Sequence, residues 1–263
     1  MFRVIAIIAA YNEERFIKNC IENFISQEVE VYLINNGSDD RTAEIAKEYL
    51  GKGLIGIEDF PREDFYYIEK IWNKKTEIAS ELNADWFIHS DADEIRITGD
   101  PRKNLKEKLL EIDQQGYNAV DYHEFTFIPT LESPNHDHEN YMETMKWYYH
   151  FLPRVPHSLN TWKKQAEKIK LTSHKVDFPG LKMYPESFQM KHYFYLSREH
   201  AVRKWCSRKY APNVLKRGLH RRRAGLKPDN INFISRDLLY EYTSDNELNA
   251  VNPRKVHYLF ENV

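Results

Sequence analysis

The chain has 263 residues, enough to bury a large core in one big α/β domain. Its 38 basic and 40 acidic side chains leave a net charge of -2, which argues against a general polyanion binder. With 41% apolar and 30% charged residues, the composition argues for a folded chain with a soluble surface and against global disorder.

Residues 4–10, VIAIIAA, form a continuous apolar run, as in a strand buried on both faces. Tyr11-Asn12-Glu13-Glu14 follows at once, so this start reads as a strand and not as a signal peptide. Over residues 13–26, Phe16, Ile17, Cys20, Ile21, Phe24 and Ile25 fall at helical spacing and make one apolar stripe. Residues 29–34 are a second strand, stopped by the turn chemistry of Asn35-Asn36-Gly37-Ser38. Ser38 or Asp39 is placed to cap a helix over 40–50, which Gly51 closes. Residues 54–57 are a third, short strand. A long helix is expected over 64–82, with Phe65, Ile68, Ile71, Trp72, Ile78 and Leu82 on its apolar face, and a fourth strand over 86–89.

This β-α-β-α-β-α-β alternation predicts a doubly wound, mostly parallel sheet, because parallel strands need crossover helices. Ligands bind beyond the carboxyl ends of such strands. Polar clusters fall there three times: at Tyr11-Asn12-Glu13, at residues 35–40 and at residues 90–94.

Past residue 100 the pattern loosens. A helix is expected over 105–112 and strands over 119–128, 145–152, 169–176 and 190–195. Residues 129–144 read as a polar loop and 198–217 as a basic helical segment. No internal repeat or low-complexity linker appears, so a single domain over 1–263 is expected, with residues 1–98 as its regular half and 99–263 as its irregular half. No run approaches the ~18–20 apolar residues of a membrane span. Cys20 and Cys206 make neither a disulfide framework nor a metal cluster, so a reducing compartment is expected, with the cytoplasm as the address.

The stretch WFIHSDADEI, residues 86–95, puts Asp91, Asp93 and Glu94 directly after a buried strand. Like charges this close repel and are costly to desolvate without a positive partner. An Asp-x-Asp at a strand end sets two carboxylates on one side of an extended turn, within reach of one divalent cation. Hard oxygen ligands suit Mg²⁺ or Mn²⁺ and leave positions open for phosphate oxygens. The alternative is a solvated acidic turn.

Three motifs in order carry a resemblance. Ala9-Ala10-Tyr11-Asn12-Glu13-Glu14 resembles the opening of family 2-like glycosyltransferases with the GT-A fold. Residues 33–42, LINNGSDDRT, are similar to that family's second signature, in which Asp usually stands where this chain has Asn35. Asp91-Ala92-Asp93-Glu94 resembles its metal-binding motif in the DADE form of a subgroup related to families 2 and 92. His192-Tyr193 with Ser197 and Lys204 is similar to a later segment of that subgroup.

The resemblance implies a nucleotide-sugar donor held by residues 1–98 and a glycan or other hydroxyl acceptor held by 99–263. It implies Tyr11 and Glu13 beside the base and ribose, with Asn36 and Asp39 nearby. Asp91 would be shared between ribose and cation, Asp93 would ligate the Mn²⁺ or Mg²⁺, and His192 would be a further ligand. Inversion would need a general base downstream, for which Asp177 is the choice, with Glu186, Asp137 and Glu94 as rivals. The rival functions are a nucleotidyltransferase acting on a sugar phosphate and a non-catalytic sugar-binding relative. A Gly-rich basic loop after strand one, which the nucleotidyltransferase would carry, is replaced here by Tyr11-Asn12-Glu13-Glu14. The basic stretch over 203–223 reads as a solvated face, a lid over the diphosphate, or a contact for an anionic acceptor or a membrane surface. Nucleic acid is not expected as a partner.

Overall fold

The structure is a computed structural model that describes residues 1–62, 67–218 and 221–261. Phe65, expected on a helix face, and part of the basic 203–223 stretch lie outside those residues. In chain order the strands are β1 (Val4–Ala10), β2 (Glu30–Asn35), β3 (Leu54–Asp59), β4 (Trp86–Asp91), β5 (Glu94–Ile97), β6 (Ala119–Val120), β7 (Tyr122–Phe127), β8 (Trp147–Phe151), β9 (Thr161–Lys163), β10 (Lys170–Leu171), β11 (Val176–Asp177), β12 (Phe188–Tyr193) and β13 (Tyr240–Glu241). The α-helices are α1 (Ile17–Ser26), α2 (Thr42–Lys47), α3 (Ile68–Glu81), α4 (Leu105–Gln114), α5 (Tyr141–Thr144), α6 (Arg198–Ala201), α7 (Pro212–Lys216) and α8 (Arg221–Gly225).

Two compact units divide the chain. The first comprises Met1–Pro61, Ile68–Glu124 and Val155–Met190, and the second Arg62–Tyr67, Phe125–Arg154 and Lys191–Val263. The first unit is built on a six-stranded sheet in the order β3-β2-β1-β4-β9-β6. Its first four strands are parallel, with Ile7 of β1 opposite Tyr32 of β2 and His89 of β4. The apolar run of β1 is buried because β2 and β4 flank it and α3 packs against it. Each fully buried Ile there contributes roughly 1.5–3 kcal/mol over its exposed state. The core joins Ile5, Ile7, Ile34, Phe87 and Trp162 to Ile78 of α3 and to Leu171 and Val176 of the β10–β11 hairpin.

The expected elements of the first hundred residues are present, with shifted ends. Helix α1 starts at Ile17, not 13: the chain takes a left-handed conformation at Asn12, φ 55°, and residues 14–16 form a turn that leads into the helix. Neither Ser38 nor Asp39 caps α2: Ser38 Oγ accepts from the Asn12 amide and Asp39 pairs with the Asn12 side chain. Helix α4 carries a full capping box, with Asn104 accepting from the Glu107 amide and Glu107 accepting from the Asn104 amide.

Later elements depart further. The strand expected over 119–128 breaks at Asp121, whose buried carboxylate accepts from the His157 and Ser158 amides at 3.0 and 2.7 Å. The strand expected over 169–176 is a hairpin, because Thr172-Ser173-His174-Lys175 turns the chain between β10 and β11. The helix expected over 198–217 is broken into α6, a π-helical segment over Val202–Cys206, and α7. In the second unit β13 pairs antiparallel with β8, and an aromatic cluster joins Phe151, Phe194, Trp205 and Phe260. Arg221 and Arg222 of α8 are exposed.

Candidate functional site

In the first unit β1, β2 and β4 end at the same edge of the parallel sheet, and polar residues stand at or directly after each end. The loops after β1 and β2 are tied together. Asn12 exchanges two hydrogen bonds with Asp39, its Nδ2 donating at 2.6 Å and its Oδ1 accepting from the Asp39 amide at 3.0 Å. Thr42 Oγ1 accepts from the Glu13 amide at 2.8 Å, and Asp40 accepts from the Glu14 amide at 3.1 Å. This lacing holds Tyr11, Glu13, Asn36 and Asp39 in one loop pair. Tyr11 and Glu13 are half-buried, Asn36 is buried and Asp39 is exposed. Asn35 donates to Asp59 at the end of β3 at 2.7 Å, and Asn36 donates to the Phe60 carbonyl at 3.0 Å.

The acidic turn follows β4. Asp91 is exposed at the strand end, Ala92 and Asp93 form the turn, and Glu94 opens β5. Glu94 Oε2 gathers three donors: Arg96 Nη2 at 2.6 Å, the Asp91 amide at 3.0 Å and Ser90 Oγ at 3.0 Å. The Arg96 side chain is fully buried, with its guanidinium 4.3 Å above the centre of the Tyr122 ring. Tyr122 in turn shares a 2.9 Å hydrogen bond with Thr161 of β9. Lys75, fully buried on α3, places Nζ 2.7 Å from His89 Nδ1 and donates to the Ser90 carbonyl at 2.8 Å. Burial pushes the Lys75 ammonium down to about 8, against the pull of Asp91 and Glu94. Burial, with Lys75 adding to it, holds His89 well below the usual imidazole range, so His89 is a neutral acceptor. Arg96 and Lys75 are therefore positive charges set among the acids.

Lys75 and Arg96 were not singled out from the sequence. Their signal is faint but readable: Lys75 stands in the apolar stripe between Ile71 and Ile78, and Arg96 faces the same way as Glu94 by strand alternation. A second buried polar group, also unforeseen, lies in the same unit. Glu124 and His157 meet at 2.8 Å, and His157 stacks on exposed His174 at 5.5 Å between ring centres.

Asp177 lies at the end of the β10–β11 hairpin, 3.7 Å from Lys175, and lines a cleft of about 590 Å³ with Asn73 and Thr76 of α3. Asp91 and Asp93 do not line that cleft. His192 belongs to the second unit, where its ring meets Phe194 edge-on at 5.0 Å. Among the described residues, no group of three His, Cys, Asp or Glu side chains converges to hold a metal ion. Asp91 and Asp93 offer two hard carboxylates at a strand end, a donor pair that fits a Mg²⁺ or Mn²⁺ ion completed by water and phosphate oxygens. Among the described residues, no helix is long and apolar enough to cross a membrane.

A 46-residue segment is 41% identical to the uncharacterized glycosyltransferase EpsJ of Bacillus subtilis (strain 168), covering 16% of this chain and 13% of EpsJ. Among solved structures, S. aureus TarS overlaps 87% of this chain and 45% of its own, at 12% identity and a TM-score of 0.42. TarS 1–349 in complex with UDP-GlcNAc overlaps 73% of this chain and 58% of its own, at 12% identity and a TM-score of 0.41. The chain thus spans about an eighth of EpsJ and roughly half of TarS. Residues 5–154, more than half of the sequence, match the pattern of glycosyl transferase family 2. That segment contains β1 to β4, the laced loops and the acidic turn, on the parallel-rich α/β sheet expected of a GT-A fold. The chain belongs to glycosyl transferase family 2.

Proposed function

We propose that the chain is a metal-dependent glycosyltransferase that moves a sugar from a nucleotide-sugar donor to a glycan or related hydroxyl acceptor, with inversion at the anomeric carbon. The observation that carries this reading is the convergence of three polar strand ends at one edge of the parallel sheet, after β1, β2 and β4. That edge is where such sheets take their ligands. In this reading Tyr11, Glu13, Asn36 and Asp39, held in the laced loops, form the base and ribose side of the donor pocket. Asp91 and Asp93 are the residues to hold a cation, Asp91 also facing the ribose. When bound, that cation supplies Lewis-acid neutralisation of the charge that builds on the leaving diphosphate. The Asp91-Ala92-Asp93-Glu94 sequence supports, within this reading, a place in the DADE subgroup related to family 92. Asp177 is assigned the acceptor base from its place in the chain.

The test is turnover with a panel of nucleotide sugars and Mn²⁺. Release of a nucleoside diphosphate is the expected result. Release of pyrophosphate from a nucleoside triphosphate and a sugar phosphate would instead make the chain a nucleotidyltransferase. Calorimetry showing neither nucleotide nor metal binding would overturn both.

A further inference from the structure

The third acid of the turn has no ligand-binding role in the reading above, and the structure gives it a different one. We propose that Glu94 and Arg96 are positioning residues that fix the Asp91-Ala92-Asp93 turn in the conformation that binds a divalent cation and a nucleoside diphosphate; this rests on the glycosyltransferase reading.

Glu94 Oε2 takes the amide of Asp91 itself, so the first residue of the turn is hydrogen-bonded to the residue three further on. The same oxygen takes Ser90 Oγ, the side chain just before the turn. One carboxylate oxygen thus clasps the chain on the strand side of the turn while its own backbone begins β5 on the other side. Arg96 holds that oxygen at 2.6 Å, and its Nε also donates to Ser90 Oγ at 3.3 Å. Arg96 cannot swing away: its side chain is fully buried, its guanidinium lies over Tyr122, and its amide donates to Asn23 Oδ1 of α1 at 3.0 Å. Lys75 adds a third hold through the Ser90 carbonyl. The geometry of the turn is thus fixed in advance, which lowers the ordering cost of binding.

Two variants of the intact chain test this, with Mn²⁺ titrated alone and beside whichever of UDP, GDP, ADP or CDP the wild type binds most tightly. Glu94→Gln keeps the side-chain length but removes the charge that Arg96 and the Asp91 amide share. Its Mn²⁺ dissociation constant, read by calorimetry and electron paramagnetic resonance on folded protein, should rise about tenfold or more. In turnover kcat should fall by more than KM for the donor rises. Ser90→Ala, which removes one donor and one acceptor and little volume, should show a smaller loss in the same direction. It carries the test if Glu94→Gln does not fold. Folded variants that bind Mn²⁺ and nucleoside diphosphate as the wild type does, with only a lower melting temperature, would overturn the proposal and leave the glycosyltransferase reading intact. A wild type that binds neither probe would remove that reading, and the proposal with it.

Discussion

Lys75 Nζ lies 2.7 Å from Nδ1 of His89, in the fully buried space between α3 and β4. An ammonium buried against a neutral imidazole gains a hydrogen bond but no counter-charge from it. Its folded-state pKa accordingly drops from 10.5 to about 8. Between these two values the unfolded chain holds the proton and the folded chain does not. Stability therefore rises with pH from about 8 towards 10.5, and below pH 8 the full cost of burying the ion is present. The whole window is worth about 3 kcal/mol. Urea midpoints measured from pH 7 to 9.5 should rise for the wild type relative to Lys75→Met, whose curve lacks this contribution. Parallel curves for the two proteins would contradict the assignment.

Asn35 stands where the family pattern usually has Asp, and its Nδ2 donates to Asp59 Oδ1 at 2.7 Å. The carboxylate of this pair is therefore on β3, one strand away from its usual place. Asn35→Asp would set two carboxylates against each other and raise the pKa of one of them. Asp59 is exposed but Asn35 is buried, so solvent relieves only one of the two charges. We expect Asn35→Asp to lower stability and nucleoside diphosphate affinity at pH 7.5, with recovery as the pH falls towards 5 and one acid takes a proton. Adding Asp59→Asn should restore the hydrogen bond with its direction reversed. A double variant no better than Asn35→Asp alone would show that the two side chains act independently.

The parallel half of the fold was legible because its signals are local. Residues 4–10 have no polar side chain to expose, and the helix stripes of 13–26 and 64–82 repeat at 3.6 residues. The polar loops after β1 and β2 and the acidic turn were legible for the same reason, since each follows an apolar run. What could not be read depends on contacts between distant residues. Strand β9 is three residues, Thr161–Lys163, and is a strand only because β4 and β6 flank it. Asp121 breaks a strand that reads as continuous, because His157 and Ser158 arrive to donate to it. From the sequence Glu94 is no more than a rival for the base, because sequence gives its spacing from Asp93 and not its bond to Arg96.

Asp93 sits in the turn and is 6% exposed, and Asp93→Ala removes its carboxylate. Asp93→Ala should keep the wild-type circular dichroism. Its metal-dependent kcat should fall on the order of 100-fold or more, the scale for loss of one electrostatic stabiliser of the leaving group. Unchanged turnover would remove Asp93 from the cation site.

Asp177 is the sharpest test of the downstream half. A general base acts only in the transition state, so losing it lowers kcat without changing donor KM. Its only ion-pair partner among the described residues is Lys175, at 3.7 Å and largely exposed, a contact that contributes little to stability. Asp177→Asn should therefore melt like the wild type, which makes any loss of turnover chemical in origin. As the acceptor base, it should lose on the order of 100-fold or more in transfer while nucleoside diphosphate and Mn²⁺ bind as before. Full transfer by Asp177→Asn would make this residue a surface acid of the β10–β11 hairpin. The search for the base would then move to the other carboxylates of residues 99–263, Glu186 first, because a family 2 enzyme that inverts still has to take the acceptor's proton somewhere.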